Sequence, residues 1–451
     1  MLKLLIFYKI RYLYILLSLK IFLVILNMKK ILKTFSLIVI FLFTLSVFGW
    51  IVFHISEGDK KFGFLTGPVK FMYTFPDLFF QAFEEAKSLP ETFIKTPEDF
   101  KSINNLESDF IVLSTYSDTS DSRSIVLMNL KNDSILYKWT IENPFEDFYR
   151  IINPLLFPEK SLVYSFTSHT GLRRIDSLTN IIWKQDSIFA NHAMNLDSNG
   201  DIWICSTEPV YYATGLYKMN GTSIFYIDNY ITKIDAETGR ILFHKSMTSI
   251  LTENNLSYYL IKSANVSDPI HINDVEPAIK STQYYKEGDL FISARNPSFI
   301  MHYRPSTNKV INIIEGPFTS QHDVDFLNDS TLVIFNNNFY TIWSDDINPP
   351  PPDSSLLEIA GDFYSNIVRY DFANDSLSFI GDSIFRANEI FTHGEGVMEF
   401  VDPSTYFVEE QNTGLIWIIK DDKVIYKNVL KSQHEGYHHL LNWIRIIKKN
   451  G

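Results

Sequence analysis

The chain has 451 residues, 46% of them apolar, and a formal charge of −12, which allows one large domain or two ordinary ones. Its basic residues are scattered outside the N-terminus, so it carries no electrostatic footprint for nucleic acid. The single cysteine, Cys205 in the run DIWICS, excludes an internal disulfide framework and paired-cysteine metal or redox sites, and reads as a buried thiol.

Two apolar runs, around residues 12–26 and 35–55, open the chain and are separated by Lys29, Lys30 and Lys33. The second is long enough to cross a bilayer as a helix. Lysines before it and Glu57 and Asp59 after it place the N-terminus in the cytoplasm and the body outside. Bulky Phe48, Trp50, Phe53 and His54 occupy its end, where a cleavable signal would carry small residues, and this favours an uncleaved anchor. Met28 followed by two lysines makes a more usual start than Met1, so residues 1–27 read as an extension or as a second, weaker apolar segment. The expected organisation is therefore an N-terminal segment over 1–34, a transmembrane anchor over 35–55 and a linker or packing arm over 56–104. The arm holds Pro68, Pro76, Pro90 and Pro97 and one short helical candidate, FFQAFEEAKSL.

From Asp109 onward helical periodicity gives way to short β-branched and aromatic runs punctuated by Asn, Asp, Gly and Ser. A paired-strand pattern with a polar turn recurs six times, in SIVLMNLKNDSILYKW, GLRRIDSLTNIIWKQ, YITKIDAETGRILFHK, FIMHYRPSTNKVINII, NIVRYDFANDSLSFIG and GLIWIIKDDKVIYKN. Taking Ile135, Ile181, Ile241, Val310, Leu377 and Val424 as equivalent gives spacings of about 46 to 69 residues, the size of a four-stranded propeller blade. Each copy follows another strand, and before most of those lies a further one: HAMNLD, HINDVE, QHDVDF and GVMEFV. The first copy lacks that earliest strand, whereas HHLLNWIRII is spare at the C-terminus, so the end of the chain is expected to close the ring. The fold class is all-β: a six-bladed propeller over 105–451, preceded by a transmembrane helix.

Residues leading into the earliest strand of a blade line one mouth of the central channel. His192, His271, His322 and the segment beginning at His393 all occupy that position, so sites distant in sequence converge. A lone histidine is more often a structural hydrogen-bonder; it is the recurrence that points to chemistry. Three histidines could also bind a divalent metal, although Arg295 is a fixed cation beside them, and a non-catalytic recognition propeller tethered to a membrane is a further reading.

The runs HAMNLDSNGDIWI, HINDVEP with GDLFISARNPSFI, and QHDVDFLNDSTLVIFNNN resemble the successive signatures of bacterial arylsulfate sulfotransferases, over about residues 109–447. The resemblance implies transfer of a sulfuryl group from an aryl sulfate donor to a phenolic acceptor through a sulfated histidine, with no nucleotide donor, no cofactor and no metal. It makes His322 the nucleophile and places His192, His271, Asn273 and Arg295 around the sulfuryl. Because a second histidine must protonate the departing phenolate, His271 is expected to be the acid and base, with Arg295 and His192 as further catalytic groups and Asn273, Asn296 and His393 as substrate-binding residues. Two departures stand out: NHAMN replaces the usual double histidine and aspartate, and Pro269 stands near the place of a tryptophan. The residue types suit the reaction. A neutral imidazole can attack sulfur and later leave, and a guanidinium fork can hold oxygens as charge redistributes in an in-line displacement.

Overall fold

The computed structural model describes residues 2–56, 60–85, 89–90, 92–119, 121–145, 149–209, 215–219, 222–263, 265–339 and 364–447. The chain divides into two compact units, residues 1–89 and 90–451. In the first, a single helix, α1 (Leu2–Ser56), runs through the lysines that separate the two apolar runs, because lysine is itself a good helix former. Within it Leu32–Ile55, with a mean hydropathy of 2.5, is long and apolar enough to cross a membrane. A short turn, Lys60–Leu65, is broken at Gly63 by a φ of 47°. Helix α2 (Thr66–Glu85) follows. It begins well before the stretch its sequence suggested, since Pro68 falls in the first turn, where a missing N–H leaves no bond unmade.

The second unit is a propeller of six four-stranded antiparallel blades. Blade one comprises Arg445–Ile446, Ile111–Thr119, Ser122–Asn129 and Ser134–Glu142, so its inner strand does come from the C-terminus, with Arg445 opposite Leu113 and Ile446 opposite Val112. Only two residues of the spare segment serve this purpose; Tyr437–His439 instead pairs with Phe93–Lys95. Blade two is Leu155–Leu156, Leu162–Tyr164, Arg173–Ile175 and Ile181–Lys184. Blade three is Phe189–Leu196, Ile202–Thr207, Tyr230–Ile234 and Ile241–Ser246, with an inserted hairpin, Gly215–Met219 and Thr222–Tyr226, that the repeat pattern did not announce. Blade four is Ile272–Pro277, Leu290–Ala294, Phe299–Arg304 and Lys309–Ile314. Blade five is His322–Asn328, Thr331–Asn336, Asn366–Asp371 and Ser376–Ile380. Blade six is Val397–Asp402, Thr405–Glu410, Leu415–Lys420 and Lys423–Val429, and Ile103–Asn104 adds a strand to its outer edge.

The local sequence explains the blades. In every outer hairpin a residue just before the last strand, or one position earlier, has a left-handed backbone: Asp133, Thr179, Gly239, Asn308, Asp375 and Asp422. Asn, Asp and Gly tolerate that conformation best, and they hold five of the six places. Second strands such as Leu290–Ala294 and Thr331–Asn336 are buried along their whole length because each blade is covered on both faces by its neighbours. The core is accordingly divided. Six apolar clusters each fill one gap between successive blades, for example Trp203 with Phe299 between three and four and Trp443 with Phe407 between six and one.

Along the axis, polar side chains stitch the inner strands into a closed circle. Arg445 donates to Asn153, whose Oδ1 accepts the N–H of Met194 at 3.1 Å. Asn195 donates to Asp274 at 2.8 Å, and Asp274 accepts the N–H of Val324 at 2.8 Å. Asp323 accepts the N–H of Met398 at 2.7 Å, and Glu399 accepts that of Ile446 at 2.8 Å. Glu409 adds two bonds from the N–H groups of Trp443 and Ile444, at 2.9 and 2.6 Å. Asp274, Asp323, Glu399 and Glu409 thus have structural work, each answering a backbone donor that burial would otherwise leave unpaired.

Candidate functional site

The three central histidines owe their direction to irregularities where the inner strands begin. In blade three the pairing jumps from Asn191 opposite Cys205 to Met194 opposite Ile204, which leaves His192 and Ala193 as a bulge. Blade four skips Asn273 and blade five skips Asp323 in the same way. Left-handed backbone accompanies each: φ is 54° at His192, 48° at His271 and 52° at Asp323. Such conformations cost about 1–3 kcal/mol at non-glycine residues and persist where the surroundings hold them, and bulges re-aim side chains at sheet rims.

The result is a compact cluster. His192 Nε2 and His271 Nε2 are 3.1 Å apart, and the His192 ring lies 6.1 Å from that of His322. Two lone pairs cannot face each other at hydrogen-bond distance, so one proton lies between His192 and His271. Nδ1 of His271 donates to Asp268 Oδ2, which places a carboxylate behind the ring.

His322 is 2% exposed. Its Nδ1 is 2.7 Å from Asn337 Oδ1 and 3.1 Å from the Ser320 carbonyl. The amide of Asn337 is oriented by donation from Nδ2 to the carbonyls of Thr392 and Glu395, at 2.9 and 2.7 Å, so the atom facing His322 is an acceptor. Nδ1 of His322 therefore carries the proton and Nε2 keeps its lone pair. Burial, then the positive charge of Arg295, holds His322 down at about 3, so the ring is neutral across the physiological range. His192 is likewise held well below the usual imidazole range, by desolvation first and then by His271, His322 and Arg295.

Arg295 follows the second strand of blade four, and its backbone N–H bonds the carbonyl of His271 at 3.0 Å. Its Nη1 donates to Asn296 Oδ1 at 2.8 Å, while Asn296 Nδ2 donates to the Asp268 carbonyl at 2.5 Å. Asn296 thus braces both the arginine and the segment carrying Asp268. Burial lowers the guanidinium's pKa, opposed by Asp268 and Glu395. Asn273 is fully buried and donates to the Gln321 carbonyl at 2.8 Å, which ties the approach of His322 to blade four. His393 is exposed, and its ring lies 5.9 Å from Phe339; the structure brings it into no ring contact with the other three histidines.

Several residues at the site went unread in the sequence. Asp268 and Asn337 are two. Trp443 stacks on His192 at 5.6 Å and stands edge-on to His322 at 6.0 Å, with a left-handed φ of 63°. Arg150 pairs with both carboxylate oxygens of Glu395 and with Asn442 at 3.2 Å. Signals existed: Asp268 sits three residues before His271, and Asn337 lies in the NNN run that ends a strand. Past Trp443 the axis opens into a cavity of about 460 Å³ lined by Glu276, Asp323, Asp325, Glu399 and Arg445.

Residues 155–427, more than half of the chain, match a family model described as arylsulfotransferase (ASST). No curated protein matches. Among solved structures, a protein of unknown function from Bacteroides caccae is similar at 10% identity and a TM-score of 0.47, over 76% of this chain and all of that one. Virginiamycin B lyase from Staphylococcus aureus is similar at 11% identity and a TM-score of 0.38, over 79% of this chain and 98% of that one. Both likenesses are too low to bear on function.

Proposed function

Because the chain belongs to the arylsulfotransferase family, and so to sulfotransferases acting on small aryl substrates, we propose that it moves a sulfuryl group from an aryl sulfate to a phenol through N-sulfation of His322. The observation that carries this reading is the His322 ring, with Nδ1–H pinned by Asn337 and Ser320 and the Nε2 lone pair left for attack. In the first half-reaction Nε2 forms a bond to sulfur as the bond from sulfur to the phenolic oxygen breaks. The positive charge that develops on the ring is spread into the oxygens of Asn337 and Ser320. Arg295 holds the sulfuryl oxygens, a role that preorganised cations perform at low cost in a dry site. The departing phenolate takes the proton held at Nε2 of His271, and Asp268 stabilises the imidazolium that supplies it. In the second half-reaction the acceptor phenol returns a proton to His271, its oxygen attacks sulfur, and the nitrogen–sulfur bond breaks to restore His322. His192 shares the His271 proton, and Trp443 keeps its ring in place.

The test uses a chromogenic aryl sulfate bearing labelled sulfur. Kinetics with donor and acceptor are expected to be ping-pong, and rapid quenching should trap one sulfuryl group per chain on His322. His322→Asn should retain the fold and lose both phenol release and transfer. Near-normal transfer by that variant, or label that never resides on the protein, would overturn the mechanism.

Leu32–Ile55 anchors the propeller on the extracytoplasmic side of a membrane in this reading, supported by Lys29, Lys30 and Lys33 before the span. Fusions at the C-terminus to a reporter active only outside the cytoplasm should be active. Activity confined to a cytoplasmic reporter would reverse the orientation.

A further inference from the structure

Helix α2 follows the end of the apolar span after the short Lys60–Leu65 turn. Just before the break at Gly63, Phe62 packs back onto the last turns of α1, 5.8 Å from the ring of Trp50 and 6.4 Å from that of His54. Val69 is buried, as is Ile55 at the end of the span. The turn that leads into α2 is therefore held against the span's final turns, where Trp50 is the kind of ring that marks the boundary between hydrocarbon and headgroups.

The other side of this segment is apolar and open. Phe64 is 88% exposed, and Phe71, Met72 and Phe75 are 50–61% exposed. Residues 68, 71, 72 and 75 are spaced to share one side of a helix, and the spacing continues through Leu78, Phe79 and Phe83 in the sequence. Lys70 and Thr74 share the opposite side, and the same period adds Asp77, Gln81 and Glu84. A stripe of that breadth left in water would be an aggregation liability. Its place beside the end of a membrane span supplies a different surroundings.

We propose that α2 lies in the plane of the membrane interface, with the stripe through Phe71, Met72 and Phe75 among the outer acyl chains and Lys70 and Thr74 facing water. The proposal rests on reading Leu32–Ile55 as a span. Helices of this composition sink their apolar face about 5–10 Å into the boundary between headgroups and acyl chains. Here that would set a second attachment between the span and the propeller and restrict how far the catalytic unit ranges from the bilayer.

The experiment uses the full chain in phosphatidylcholine and phosphatidylglycerol vesicles. Cys205 is buried and its thiol pKa is pushed up by burial, so single cysteines placed at Lys70, Phe71, Thr74 or Phe75 take an environment-sensitive fluorophore selectively. Labels at 71 and 75 should be quenched by lipids with a spin label high on the acyl chain and resist aqueous iodide. Labels at 70 and 74 should show the reverse. Equal iodide quenching at all four would put the helix in water. Shielding of 71 and 75 from both quenchers would mean that protein covers the stripe, either the propeller or a second copy. Either result overturns the proposal. A label at Leu45 reports separately on the span; its failure to respond to lipid quenchers would remove the anchoring itself.

Discussion

Asp268 lies three residues before His271 and takes its Nδ1–H, yet it touches none of the groups proposed to meet sulfur. Its influence runs through the proton on His271, so its value depends on how much help a leaving phenolate needs. Asp268→Asn keeps the shape and removes the charge that stabilises the imidazolium. General acid and base assistance is worth about 10²–10⁴-fold. Turnover should fall by about that factor with donors whose phenols are weak acids and much less with nitrophenyl sulfates. A plot of log kcat/KM against the acidity of the leaving phenol should therefore steepen. An equal loss with every donor would reduce Asp268 to a structural residue. The three histidines were legible because they recur at one position in successive blades and because QHDVDF and HINDVEP resemble family signatures. Asp268, Asn337 and Trp443 were not, since the partners of a ring are fixed by three-dimensional proximity and carry no periodicity of their own. His393 shows the converse: its chain position matched the others, but the backbone carbonyls of Thr392 and Glu395 supply the bonds to Asn337, while its own side chain is exposed.

At the scale of elements, what could be read was whatever local chemistry determines. The outer hairpins announce themselves through Asn, Asp and Gly at left-handed positions, and the paired strands around them recur because each blade needs the same turn. The buried second strands were legible as apolar runs such as TLVIFN. The closing strand was only partly so. HHLLNWIRII reads as one strand, but Gln411, Asn442 and Glu409 gather its middle into an irregular crossing, so that Tyr437–His439 and Arg445–Ile446 pair with different partners. Helix α2 was legible only in its second half, as the candidate FFQAFEEAKSL within a linker or packing arm, because the prolines before it outweighed its stripe. Pro68 costs nothing in a first turn, and Pro76 removes one backbone bond from an otherwise amphipathic helix.

The whole propeller couples its stability to pH through opposing buried groups. Burial lowers His322 to about 3 and His439 to about 4, against about 6.5 in an unfolded chain. The unfolded chain thus takes protons that the folded one refuses. The stability these rings contribute is complete above about pH 6.5 and is lost as pH falls toward those lower values. Burial raises Glu409 and Glu410 to about 7 and Asp274 to about 6, against about 4 when unfolded. Here the folded chain keeps protons that the unfolded one releases, so stability is complete below about pH 4 and is lost as pH rises through 6 and 7. His192, His302 and His438 are lowered by burial in the same way as the first two rings, so between those limits the two sets oppose each other and the slope is small. Glu276 and Asp323, also held well above the carboxylate range by burial first and then by neighbouring carboxylates, tilt the balance toward acid. The melting temperature of the detergent-solubilised chain should therefore peak between about pH 4.5 and 6.5, fall on the alkaline side, and fall again below pH 4. His322→Asn removes one proton of uptake from the acid limb alone. Relative to the parent, the variant should become steadily more stable from pH 6.5 to 3.5, while the two alkaline limbs run parallel. Parallel acid limbs would mean that His322 takes up its proton in the folded chain as readily as in the unfolded one, and that the ring proposed as nucleophile is not held neutral through mildly acidic pH.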